Sequence, residues 1–103
     1  MSQLFRIHVP ARIDKKAAAW GLSAAFLGRV WKKVKTDLAD DPASKLKAVI
    51  APWGERLNMY TFNLSDPRKA AVTHTFMFHF KYTPDETGLI VVECGHLAKR
   101  YIG

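Results

Sequence analysis

Val72-Thr73-His74-Thr75-Phe76-Met77-Phe78-His79-Phe80-Lys81-Tyr82 decides the fold. Val72, Phe76, Phe78, Phe80 and Tyr82 share one side with His74, and Thr73, Thr75, Met77, His79 and Lys81 share the other. A period of two is the signature of a strand with one face buried. That aromatic face needs a cover. Working outward, Leu57–Leu64 alternates too, with Tyr60, Phe62 and Leu64 against Met59, Thr61 and Asn63. Leu89–Cys94 is apolar on both sides except Glu93, as a strand well inside a sheet would be. Asp66-Pro67-Arg68-Lys69 and Pro84–Gly88 supply the turns between these runs.

Toward the N-terminus the period changes. Leu4–Val9 reads as a strand, stopped by Pro10. Asp14 is placed to cap a short helix over Lys15–Trp20, with Gly21 as its stop. Ser23 caps a longer helix whose Phe26, Leu27, Val30, Val34 and Leu38 form one apolar stripe. Asp40-Asp41-Pro42 ends it, because a residue before proline is pushed out of the helical region. Ser44–Ala51 is ambiguous and could be a strand. The predicted fold is α+β: an N-terminal strand, a two-helix hairpin, then a three- to four-stranded antiparallel meander, with both helices on one face. The other face should be open and carry Arg6, His8, Met59, Thr61, Asn63, Thr75, His79 and Lys81.

The chain has 103 residues, enough for one domain over 1–103. With 49% hydrophobic residues it can build a core, and a single cysteine leaves that core without an internal disulfide. The net charge of +7 favours an anionic partner such as nucleic acid. No signal-like stretch opens the chain, and Ala17–Gly28 is too short to span a bilayer, so cytoplasmic residence away from the membrane is expected.

No Gly-rich phosphate loop, nucleophile elbow or HExxH motif is present. His74 and His79 are five apart on one strand and point to opposite faces, and Cys94 with His96 is only half of a zinc site. No metal or cofactor is therefore expected. Lys32-Lys33-x-Lys35 reads as a solvated helix face ahead of a nucleic-acid contact. The C-terminal His96, Lys99, Arg100 and Tyr101 follow a strand with no acid among them. Such a set suits a phosphodiester: cations hold the phosphate, and histidine or tyrosine moves the proton of a 2′-hydroxyl. His79 joins these as a catalytic candidate on the open face. Lys47, Arg56, Arg68, Lys69 and Lys81 are the candidate RNA-binding cations. His74, on the aromatic face, reads as a packed histidine.

The order of elements and the tail together resemble the RelE/ParE superfamily of small basic toxins from bacterial toxin–antitoxin pairs. The likeness rests on Leu38-Ala39-Asp40-Asp41-Pro42 after the second helix and on the closing Leu89–Tyr101 run, in which Gly95-His96 is followed by Lys99, Arg100 and Tyr101. The resemblance implies metal-independent cleavage of messenger RNA on the ribosome, and a cognate acidic antitoxin. One departure stands out: many members carry an arginine early in the penultimate strand, and Val72–Tyr82 has none. His79 or Lys81 could stand in from the open face, and His74 only under a different register. Two other readings stay open: a ParE-like inhibitor that binds DNA gyrase without chemistry, and a plain RNA-binding domain.

Overall fold

The computed structural model describes residues 4–69 and 71–100, and of Arg100 the backbone only. The elements are β1 (Arg6–His8), α1 (Ala11–Ala18), α2 (Ala24–Ala39), a 3₁₀ turn (Pro42–Ser44), β2 (Lys47–Ile50), β3 (Arg56–Ser65), β4 (Val72–Tyr82) and β5 (Gly88–Arg100). They form an α+β fold with one five-stranded sheet in the order β1-β5-β4-β3-β2.

β2 to β5 make the expected antiparallel meander, but the sheet is mixed. β1 lies parallel to β5, with Ile7 opposite Leu89. The helical pair returns the chain to the far edge, leaving β1 beside the strand that arrives last and in the same direction. The approach is close: a Cβ on Gly88 would sit 2.9 Å from the Arg6 carbonyl oxygen, so only glycine fits without movement.

Two boundaries differ from the sequence reading. α1 begins at Ala11, and Pro10, in extended conformation, accepts the N–H groups of Ile13 and Asp14. Proline lacks an N–H of its own and suits a helix entrance. Asp14 sits in the first turn, where its charge complements the helix dipole, rather than capping the helix. β5 runs to Arg100, so the basic tail up to that residue belongs to the sheet. Elsewhere the local logic holds: Ser23 Oγ accepts the N–H of Phe26, and Gly21, at φ +78°, turns α1 into α2.

Both helices contribute to one core. Ile13, Phe26, Val30, Val34 and Leu38 meet Phe62, Phe76, Phe78, Phe80, Leu89, Val91 and Cys94. Phe76, Phe78 and Phe80 are fully buried and supply a large share of the driving force, at about 1.5–3 kcal/mol for each such side chain. The face turned from the helices is not wholly bare. Leu57 and Ala51, at the β2–β3 hairpin, are buried without belonging to this core.

β5 contains one irregularity. His79 pairs with Glu93, and the next residue of β4, Phe80, pairs with Val91. Val92 is the extra residue of a β-bulge. Arg12 on α1 donates to the Val92 carbonyl at 2.6 Å, and Lys16 pairs with Glu93, so α1 braces the bulge. Beyond it the side chains change sides. Leu89 and Val91 face the core, and so do Cys94 and His96 rather than Glu93 and Gly95.

Replacing Phe78 by Ala should lower the unfolding free energy by about 3–5 kcal/mol, and Thr61→Ala on the exposed face should change it by no more than about 0.5 kcal/mol. Urea unfolding of the two variants checks this.

Candidate catalytic relay

The β3–β4 connection carries a carboxylate to the core edge. Asp66 Oδ1 accepts the N–H groups of Arg68 at 2.8 Å and Lys69 at 3.0 Å, which folds the turn around the side chain. The other oxygen, Oδ2, lies 2.8 Å from His74 Nε2. These bonds, that of His74 first, hold the Asp66 carboxyl below its usual pKa.

His74 is buried, with 5% of its surface exposed. A polar group so enclosed must find partners. It finds two: Asp66 on one side and, through Nδ1, His96 Nε2 at 2.7 Å on the other. β4 and β5 bring the rings together because His74 pairs with Ala98 and Phe76 with His96, which leaves the histidines on the same face one step apart. The imidazole planes are nearly parallel, 17° apart, with centroids 5.0 Å from each other. Phe76 stacks on His96 at 5.1 Å, Trp20 lies 5.4 Å from it, and Phe26 meets His74 edge-on at 5.0 Å. Three aromatic side chains thus fix the ring orientations.

This arrangement limits the tautomers. An ionised carboxylate only accepts, so His74 Nε2 carries a hydrogen. In the tautomer that leaves His74 Nδ1 unprotonated, that nitrogen accepts the Nε2 hydrogen of His96. His96 Nδ1 is then left as the basic end of an Asp–His–His relay. Burial first, and then the neighbouring His74, push the His96 pKa below its ordinary 6.5. A neutral, oriented imidazole backed by a carboxylate is suited to take a proton from a hydroxyl.

The residues named from sequence divide between two faces. His96 lies in the relay, and Arg68 and Lys69 are in the turn that forms around Asp66. His79 pairs with Met59 and Glu93 on the opposite face, and its Nδ1 is buried without a partner among the described residues. Lys81 is on that face too, bonded to Glu55 at 2.6 Å. Lys99 pairs with Thr73 and alternates away from His96. Lys47 stands on the edge strand and Arg56 at the start of β3, both exposed. The Arg100 backbone ends β5 opposite Val72, and Tyr101 lies outside the described residues.

Asp66 and His74 were not among the residues selected from sequence. The signal for them is a buried histidine near a strand end beside a turn aspartate, and only the cross-strand register turns that into a contact. A cavity of about 930 Å³ lies elsewhere. It opens at Arg6, His8 and the β4–β5 turn. His8 pairs with Ile90, about 20 Å along β5 from His96 at strand rise. Its acid, Asp85, is held at about 2 by the Thr83 and Thr87 hydroxyls, a turn-stabilising arrangement.

Comparison of the chain with protein-family models, with curated proteins and with solved structures returns no match.

A ring-proton titration of His96 by NMR should give a midpoint below 6.5, and a midpoint at or above that value would contradict the enclosure described. The sign carries into stability. As pH falls through about 6.5 the unfolded chain takes up a proton at this position before the folded one does, so stability falls on acidification. In His96→Asn that part of the pH dependence should be missing.

Proposed function

We propose that the protein is an RNA-cleaving toxin that uses the substrate's own 2′-hydroxyl as nucleophile. The observation that carries this reading is the Asp66–His74–His96 relay, set beside the cationic Arg68-Lys69 turn in a chain of net charge +7.

His96 Nδ1 takes the proton of a ribose 2′-hydroxyl. The 2′-oxygen attacks the adjacent phosphorus as the bond to the 5′-oxygen breaks, giving a 2′,3′-cyclic phosphate and a 5′-hydroxyl. The removed proton stays on His96, and the leaving oxygen takes one from solvent. Asp66 stabilises the charge that spreads through His74, and turn cations offset the charge on the phosphoryl oxygens. The arginine that many RelE-type strands carry is absent from β4. In this reading its electrostatic part falls to Arg68, and its strand position is taken over by a proton relay.

The same reading includes messenger RNA on the ribosome as the substrate and a cognate acidic antitoxin as the partner that silences the basic surface. Among the described residues no helix is long and apolar enough to cross a membrane.

Expression without a partner should arrest growth with loss of intact messages. His96→Ala and His74→Ala should each lower cleavage by about 10²–10⁴-fold, the range for a positioned acid–base group, and a 2′-deoxy substrate should not be cut. Growth arrest with intact messages and inhibited supercoiling by gyrase would transfer the reading to a ParE-like inhibitor.

A further inference from the structure

Two clefts are lined by successive parts of α2 and of the β3–β4 connection. The first, of about 170 Å³, is lined by Gly21, Leu22, Ser23, Phe26 and the Asp66-Pro67-Arg68 turn. The second, of about 370 Å³, is lined by Arg29, Lys32, Lys33, Thr36, Asp37 and Leu64. Phe26 and Arg29 are about one helical turn apart, and Leu64 and Asp66 are two residues apart in the chain, so the two linings are neighbours. At the near end Gly21 adjoins Trp20, which packs on His96.

The charge along this line is uneven. Asp37 and Asp66 are its acids, and both are already engaged. Burial works against the Asp37 charge, but hydrogen bonds from Tyr60 and Lys33 outweigh it and hold the carboxyl below its usual range. Asp66 is engaged by His74 and the turn N–H groups. Arg29 and Lys32 make no ion pair among the described residues. Arg29 lies over the Phe26 ring at 5.7 Å and Lys33 over Phe62 at 5.5 Å. The clefts therefore pair unspent cations with the half-buried apolar side chains of Leu22 and Leu64. That combination suits a single strand, whose phosphates need cations and whose bases need apolar surface. A duplex hides its bases and holds the 2′-oxygen out of line with the leaving oxygen.

We propose that these clefts form one track for single-stranded RNA, in which Arg29, Lys32 and Arg68 hold phosphates and the strand is led toward His96. The assignment rests on the RNA-cleavage reading and makes the α2 cations substrate-positioning residues, not merely a solvated helix face.

The test uses a single-stranded 2′-O-methyl oligouridylate, which binds but offers no nucleophile. Its affinity is measured across a range of salt. Removing one phosphate-binding cation flattens the slope of log affinity against log salt by about 0.7, so R29Q/K32Q should flatten it by about 1.4. K15Q/K35Q removes the same charge from exposed lysines outside the track and should leave the slope unchanged. Equal flattening in both double variants, no flattening in R29Q/K32Q, or no binding by the wild type each overturns the track. Equal affinity for a duplex of the same length overturns the single-strand assignment. His96→Ala should keep the wild-type slope whether or not His96 is the base. The track and the chemistry thus fail separately.

Discussion

One residue too many in β5 sets the position of everything that follows it. Side chains on a strand alternate, so an inserted residue moves each later one to the other face. Without the Val92 bulge, the parity of Leu89 and Val91 would continue through Glu93, Gly95 and Leu97, and a glutamate would enter the aromatic core. With it, Cys94 enters the core and His96 meets His74. Glu93 instead reaches Lys16, and both that bond and the N–H of Cys94 lower its pKa. The bulge thus solves a packing problem and assembles the relay in one move, and α1 holds it through Arg12 and Lys16.

The relay also resolves the cost of placing an imidazole under the helices. His74 is all but closed to solvent, and the fold supplies a carboxylate and a second imidazole to its ring nitrogens. The β3–β4 connection has the length to do this. A two-residue hairpin would leave no room for Asp66 to curl back over its own turn and still reach β4. Arg68 and Lys69 come with that turn. A site with a base and nearby cations then follows from satisfying one buried polar group.

The helices, the strands and the sidedness of the core were legible because each rests on a local period. Phe26, Val30, Val34 and Leu38 mark a helix, and Phe76, Phe78 and Phe80 a strand, whatever they pack against. The parallel seat of β1 was not legible, since pairing across 82 residues leaves no local trace. Nor was the start of α1: Asp14 offered a plausible cap, but the backbone already turned at Pro10. The candidate site was half visible. His96 stood out in a basic tail, whereas His74 looked like packing, because on one strand alone it shares a face only with hydrophobic neighbours.

By itself the sequence determined the local periods of the helices and strands, the charge and the order of elements. Only the tertiary structure decided which face His96 belongs to. That depended on a register shift between β4 and β5, where burying Cys94 in place of Glu93 outweighs keeping a regular ladder. The same shift separated His96 from His79 and joined it to His74 and Asp66, residues far apart in sequence that share a side only once the strands are paired.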